Sequence, residues 1–305
     1  MLARLWRLCL LFEIFAEILL AMSLVRLGGW PPLLAFVGLL CLAGGLRFWP
    51  IGMGFLLHHF DRQRYRGGHE KLQSTGLWQS MGREWWVFCR MGLACAFERL
   101  WLRADLRGCQ VRHEGVPLLL VHGYACNRGG WWWLKPRLES CGRQVATISL
   151  EPLQGDIDGY AEQIARRVAW LREQTRAERV VLVGHSMGGL ACLAYLRRYG
   201  EDHVERLVML GTPYAGTRLL QPGWGRSLDQ MCANSAWLVE LTSFFEEMPL
   251  SIPSLVCQAA EDCLLMPAET VLMPGAQARR LVQVGHLGLL TSAQVLDELL
   301  RASEA

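Results

Sequence analysis

A serine stands between glycines at the point where a predicted strand gives way to a predicted helix. Residues 184–189 read Gly-His-Ser-Met-Gly-Gly and follow an apolar run of strand length. A serine on so sharp a turn needs small neighbours, which Gly184 and Gly188 supply, and its hydroxyl then projects beyond the sheet edge at a helix N-terminus. An ordinary glycine-rich turn is the alternative, but the position at this junction predicts Ser186 as a nucleophile.

A serine hydroxyl is a weak nucleophile at neutral pH and needs a base that a carboxylate orients. Asp262 and His286 each lie just past the end of a later apolar run. The carboxyl ends of parallel strands meet at one edge of a sheet, where ligands bind. We therefore expect both side chains beside Ser186, with His286 as the general base and Asp262 as the group that orients it.

Neighbouring residues leave alternatives to both assignments. Glu261 directly precedes Asp262, but the spacing of Asp262 to Met266-Pro267, at the next predicted helix start, favours Asp262. The alternative bases are three other histidines of the same part of the chain, His122, His185 and His203.

Acyl chemistry also needs amide donors that point at a developing oxyanion. Met187 follows the predicted nucleophile and supplies one donor by position. Tyr124 supplies the other, because it comes after the first apolar run and after Gly123, which permits a bend. The Tyr124 ring could also line an acyl channel, and the two roles are compatible.

Apolar runs of strand length alternate with amphipathic segments from residue 116 onwards, which is typical of a parallel sheet covered by helices on both faces. The alternation predicts a doubly wound, mostly parallel α/β sheet. Residues 218–250 are long enough for two or three short helices, and their apolar residues include Trp224. The predicted strands are residues 116–122, 144–150, 179–185, 204–210, 252–258 and 279–284, and the predicted helices are residues 156–176, 187–199 and 288–301.

Together these motifs resemble the lipase and esterase branch of the α/β-hydrolases. The resemblance covers residues 116–301. It includes Gly-Thr-Pro-Tyr-Ala-Gly-Thr at residues 211–217, similar to a segment of bacterial triacylglycerol lipases, although a tyrosine replaces the usual histidine. It implies an α/β-hydrolase fold with the following roles: Ser186 as nucleophile, Asp262 as orienting acid, His286 as base, and Tyr124 and Met187 as oxyanion donors. It also implies that residues 218–250 form a helical cap, either mobile or fixed, with Trp224 on its apolar underside.

Two apolar segments near the N-terminus, residues 5–25 and 30–49, each have the ~20 residues that a membrane-spanning helix needs. The cations around them predict that both ends face the cytoplasm, with a short external hairpin between. Glu13 and Glu17 lie one helical turn apart, so we expect them to face the second helix or the interface, with an ion or proton site as the alternative. Arg47 is expected to extend to the membrane interface.

The predicted organisation has three parts. Residues 1–60 form a membrane anchor, residues 61–112 a basic juxtamembrane region, and residues 113–305 the catalytic domain. In the second part, residues 78–102 predict a tryptophan-rich helix that either lies on the bilayer surface or packs against the globular body. A cleaved signal peptide, or a segment lying flat on the membrane, is the alternative for the first segment, and a single span would place the body outside.

Composition and charge exclude several classes of function. The 305 residues have a mean hydropathy of +0.19 and a formal net charge of +3, which argues against binding nucleic acid. The 11 cysteines form no C-x-x-C pair and no zinc spacing. We therefore expect mostly free thiols, no metal and no organic cofactor.

The resemblance and the anchor together imply a membrane-anchored serine hydrolase that cleaves esters of acyl lipids through an acyl-enzyme. Its expected partners are a hydrophobic ester and the lipid bilayer, with the catalytic domain on the cytoplasmic face of a bacterial inner membrane. Acyl transfer to an alcohol by the same residues is one alternative. A hydrolase fold without catalysis, used as a membrane scaffold, is another.

Overall fold

The computed structural model of the chain describes residues 1–65, 77–102, 104–106, 115–266 and 273–304. Three residues on which sequence arguments draw lie outside these ranges. They are Arg66 and Lys71, two of the cations that follow the second apolar segment and orient the predicted spans, and Pro267, which helps to choose the orienting acid.

Six strands form a parallel sheet in the order β2-β1-β3-β4-β5-β6. All but the last strand are largely buried, as expected for a parallel sheet with both faces covered. The predicted mostly parallel α/β sheet is confirmed. The strands are β1 (Leu118–Val121), β2 (Val145–Ile148), β3 (Val180–His185), β4 (Val204–Leu210), β5 (Ser254–Ala259) and β6 (Gln277–Leu281).

The last strand differs from its predicted position. It ends at Leu281, which pairs with Ala259 at the end of β5, whereas the apolar run predicts a strand that continues to residue 284. Among the described strands β6 pairs with β5 alone, so it ends where β5 ends. The residues that follow leave the sheet and form the turn that carries His286.

Helices cover both faces of this sheet. The described helices are α1 (Leu2–Arg26), α2 (Pro32–Tyr65), α3 (Leu77–Ala96), α4 (Glu98–Trp101), α5 (Leu134–Ser140), α6 (Ile157–Thr175), α7 (Met187–Tyr199), α8 (Arg226–Met231), α9 (Ala236–Glu247) and α10 (Ala293–Ala302), with 3₁₀ turns at Arg128–Trp131 and Gly288–Thr291. Alternate strand residues point to opposite faces. Leu119 and Leu182 pack with α6 and α7, whereas Leu118 and Val181 pack with α3, α5 and α10.

The two N-terminal helices are apolar and exposed. By length and composition, α1 and residues Pro32–Leu57 of α2 are sufficient to cross a membrane, and most of their large apolar side chains face outwards. Glu13 of α1 accepts a hydrogen bond from Arg47 of α2 at 2.6 Å. Glu13 thus faces the second helix. Arg47 pairs with it instead of extending to an interface, because an ion pair offsets the cost of removing both charges from water.

Helix α3 has two different faces. Val87 and Met91 belong to the buried cluster that includes strands β1 and β3. On the other side, Trp78 is 76% exposed and Trp86 is 44% exposed. One face of α3 therefore packs against the globular body, and the other exposes aromatic side chains.

A substitution of Leu182 in β3 tests whether the core is packed as described. The side chain is fully buried in the cluster with α6 and α7. We expect Leu182→Ala to lower the free energy of unfolding by about 2–5 kcal/mol, because it leaves a cavity in a packed interior. Val239→Ala, at an exposed position of α9, should change it by less than ~0.5 kcal/mol. Urea unfolding of the purified chain in detergent measures both, and equal effects would contradict this core.

Candidate active site

Ser186 lies on the turn between β3 and α7 with φ 53° and ψ −125°. A positive φ is costly for a residue with a Cβ atom, so the surrounding structure must hold the turn in place. The Ser186 amide donates to the Leu210 carbonyl at 2.8 Å. A Cβ atom on Gly188 would lie 2.4 Å from the Val121 carbonyl oxygen, and one on Gly184 would lie 2.5 Å from the backbone of α7. Both positions therefore require glycine.

Asp262 and His286 form a buried hydrogen bond. His286 Nδ1 lies 2.7 Å from Asp262 Oδ2, and the two residues are 2% and 1% exposed, respectively. The other carboxylate oxygen, Oδ1, accepts the amides of Leu264 and Leu265, both at 2.9 Å. The carboxylate is thus fixed by its own loop. A proton on Nδ1 donates to Asp262, which leaves Nε2 as the basic nitrogen.

Ser186 lies in the same cluster as this pair. The Ser186 amide donates to the Leu210 carbonyl. Gly211, which follows Leu210, lies against the His286 ring, because a Cβ atom on Gly211 would be 3.2 Å from His286 Nδ1. The His185 ring, which directly precedes the serine, has its centroid 4.9 Å from that of His286. Three side chains from the ends of β3, β5 and β6 are thus brought to one rim of the sheet.

The neighbouring imidazoles are committed to backbone contacts. Burial lowers the pKa of His185 to about 3 and the pKa of His122 to about 4, so both are neutral. His122 Nδ1 bonds to the Gly123 carbonyl and its Nε2 accepts the Leu150 amide, each at 2.8 Å. His185 Nε2 lies 3.1 Å from the His286 carbonyl oxygen. The ring nitrogens of His122 and His185 thus bond to backbone groups around the site, which favours a structural role for both residues.

His203 and Glu261, the remaining alternatives, point elsewhere. His203 is exposed in the turn before β4. The Glu261 carboxylate accepts a hydrogen bond from Ser80 of α3, so it faces the helix that covers the sheet.

Two acidic groups influence the charge of the imidazole. Burial alone would lower the pKa of His286, but the charge of Asp262 and their hydrogen bond outweigh it, and Glu84 adds to them, so the pKa is raised. Burial also raises the pKa of Glu84 to about 7. Hydrogen bonds from the Leu287 and Gly288 amides and the charge of His286 lower this pKa, but burial outweighs them.

The loop after β1 approaches the serine. A Cβ atom on Gly123 would lie 3.0 Å from Ser186 Cβ, and Tyr124 is the next residue of this loop. Met187 begins α7 directly after the serine. The next loop residue, Ala125, has φ 53°, and its carbonyl accepts the indole N–H of Trp6 from α1 at 3.2 Å.

Sequence reasoning missed two contributors to this region. Glu84 is 1% exposed and bonds to the turn after His286, and Trp6 bonds to the loop after Tyr124. Both belong to N-terminal helices that the sequence assigns to other parts of the chain. The one signal for Glu84 is an acid that interrupts the apolar surface of α3, which does not identify its partner.

Residues 218–250 include two helices, α8 and α9, as the cap prediction requires. Trp237 of α9 donates to Asp158 at 2.8 Å, and Gln230 of α8 donates to Asp156 at 2.8 Å, so both helices are tied to the start of α6. Trp224 is 64% exposed and does not belong to an apolar underside. Its carbonyl instead accepts from a glutamine side chain in the loop after β2.

Within the described ranges, no group of three or more His, Cys, Asp or Glu side chains could hold a metal ion. The cysteines described there are free thiols. The Cys95 and Cys126 sulfur atoms lie 3.5 Å apart without a bond.

Comparisons with known proteins identify the fold. A sequence profile of the alpha/beta hydrolase fold matches residues 116–242. The chain has the α/β-hydrolase fold. The mature lipase BlEst2 of Bacillus licheniformis superposes with a TM-score of 0.56 at 16% identity, over 64% of this chain and 96% of that one. Lipase B of Aspergillus fumigatus gives 0.51 at 16% identity, over 58% and 49%. Identities this low show the shared fold alone.

The sequence similarity to curated relatives covers a shorter part of the chain than the structural similarity does. A triacylglycerol lipase of Pseudarthrobacter phenanthrenivorans is 32% identical over 109 residues, which is 33% of this chain and 34% of that protein. Salicylic acid-binding protein 2 of Nicotiana tabacum is 37% identical over 96 residues, 29% of this chain and 36% of that protein. The chain thus spans about a third of the length of these relatives.

The Asp262–His286 contact predicts a pH effect. Asp262 favours the protonated imidazole, so Asp262→Asn should move the acidic limb of the kcat/KM profile for ester hydrolysis to lower pH. It should also lower kcat by roughly 10⁴-fold, since the amide no longer holds the correct tautomer. Glu205→Gln, which alters an acid near the start of β4, is the control and should leave both unchanged. An unshifted limb in Asp262→Asn would contradict the pairing.

Proposed function

We propose that this α/β-hydrolase is a serine hydrolase of carboxylic esters, with Ser186 as nucleophile, His286 as general base and Asp262 as the residue that orients it. The observation that carries the proposal is the buried 2.7 Å contact between His286 and Asp262, next to a serine held at positive φ. Similarity to proteins described as triacylglycerol lipases supports the same class of chemistry.

In the proposed reaction, Ser186 Oγ attacks the carbonyl carbon of the ester while His286 Nε2 takes the hydroxyl proton. The carbonyl oxygen becomes an oxyanion, which the amides of Tyr124 and Met187 stabilise. Collapse of this intermediate expels the alcohol, which receives the proton from the imidazolium, and leaves an acyl-enzyme. A water molecule deprotonated by His286 then attacks the acyl group, releasing the carboxylic acid and restoring the serine.

We propose an acyl lipid as the substrate and the bilayer as its source. The two apolar helices α1 and α2 support membrane anchoring, and exposed tryptophans on α3 extend the apolar surface next to them. The contact between Trp6 of α1 and Ala125 joins one of these helices to the proposed oxyanion loop. An ester that leaves the bilayer beside α1 would therefore have a short path to Ser186.

Activity-based labelling tests the nucleophile. A fluorophosphonate probe should label the full-length protein, and Ser186→Ala should abolish both the labelling and the hydrolysis of a short-chain ester. Ser140→Ala, which alters an exposed serine at the end of α5, should retain both. A wild-type protein that never labels, or a Ser186→Ala variant that still hydrolyses the ester, would overturn the proposal.

Fractionation and a C-terminal reporter test the anchor. We expect the protein to stay in the membrane fraction after carbonate extraction, because α1 and residues Pro32–Leu57 of α2 are each long and apolar enough to span a bilayer. A reporter fused after residue 305 should behave as cytoplasmic, since the flanking cations orient both ends inwards. Release by carbonate would contradict the spans, and an external reporter signal would contradict the two-span arrangement.

A further inference from the structure

A buried acid from α3 contacts the turn that carries the proposed base. Glu84 Oε2 accepts the Leu287 amide at 2.9 Å, and Oε1 accepts the Gly288 amide at 2.6 Å. Both amides come directly after His286 in the chain. The helix that supplies this carboxylate lies outside the residues that match the alpha/beta hydrolase profile.

The two amides belong to the start of the 3₁₀ turn Gly288–Thr291. Amides at the first turn of a helix lack partners within it, and a carboxylate is a favourable acceptor there. Glu84 thus fixes the start of this turn. His286 is the residue immediately before it, so the position of the imidazole depends on where the turn is held.

Glu84 also contacts the other side of the histidine. A Cβ atom on Gly285 would lie 2.5 Å from Glu84 Oε1, so the carboxylate lies directly against the backbone that precedes His286. The same oxygen would lie 2.9 Å from a Cβ atom on Gly288. The backbone on both sides of the base is therefore packed against one acidic side chain.

A carboxylate is an expensive group to bury, and it needs hydrogen bonds to compensate for the lost water. Apolar side chains such as Val87 and Met91 fill the neighbouring buried positions of the same helix. The acid at position 84 supplies what they lack, which is two oxygen acceptors for the Leu287 and Gly288 amides.

We propose that Glu84 is a positioning residue for His286, holding the turn after it through the Leu287 and Gly288 amides so that Nδ1 meets Asp262 and Nε2 meets Ser186. The proposal rests on the proposed function, because it takes His286 as the general base. Its consequence is that a helix outside the matched family region completes the catalytic geometry. Glu84 itself touches neither the substrate nor the reacting atoms.

The test compares Glu84→Gln with Met91→Ala in the full-length protein in detergent. Glutamine keeps the shape but offers one oxygen in place of two, so the turn loses an acceptor. We expect kcat for a soluble short-chain ester to fall by up to about 100-fold, with KM within about twofold, because misplacement of a catalytic group affects the chemical step. The rate of fluorophosphonate labelling should fall in parallel.

Met91→Ala is the matched control. It removes a buried side chain of α3 that packs on the sheet, and it should lower the melting temperature without lowering kcat by more than about twofold. If Glu84→Gln keeps the wild-type kcat, the proposal is wrong. The proposal is also wrong if the fall in kcat, divided by the fall in melting temperature, is the same for Glu84→Gln and Met91→Ala. In that case the loss of activity would follow from lost stability alone.

A second variant covers the case in which Glu84→Gln does not fold. Gly288→Ala leaves α3 unchanged and places a methyl group against Glu84 Oε1, so it should lower kcat with KM retained. Wild-type kcat in Gly288→Ala would then overturn the proposal. Failure of the proposed function itself would give a different result, namely ester hydrolysis that persists in Ser186→Ala. Activity that depends on Ser186 but not on Glu84 would refute the positioning role alone.

Discussion

The hydrogen bond between Asp262 and His286 is the interaction on which the candidate site depends. Burial alone would lower the pKa of the His286 imidazole. Paired, each offsets the cost of burying the other, and the imidazole is more basic than an exposed one. The sheet makes the pair possible, because β5 and β6 end in register at Ala259 and Leu281 and their following loops meet. The strained turn at Ser186 adds the third group at the same rim.

The strands and the turn that carries Ser186 could be predicted because their sequence signals are local. A short apolar run shows a buried strand, and glycines beside Ser186 show a tight turn before a helix. Placing Asp262 and His286 required one further rule, that parallel strands share a carboxyl edge. Glu84 could not be found this way, since it lies 203 residues from Leu287 in the chain. The end of β6 escaped prediction as well, because it is set by the end of β5 rather than by hydrophobicity.

Three acidic side chains of the N-terminal region are paired with donors. Glu13 has Arg47, and Glu84 has two amides. Asp105 accepts the Thr147 amide of β2 at 2.9 Å and lies 3.6 Å from Lys135, which is fully buried. The contacts of Glu84 and Asp105 attach the N-terminal region to the sheet and its loops, whereas Glu13 and Arg47 join α1 to α2.

The double role of α3 constrains how the protein can be handled. A fragment trimmed to begin at β1 would uncover the strand residues that Val87 and Met91 now shield. Such a fragment would expose an apolar face of the sheet to solvent, which promotes aggregation. Retaining α3 while replacing its outward tryptophans is the more promising route to a water-soluble form.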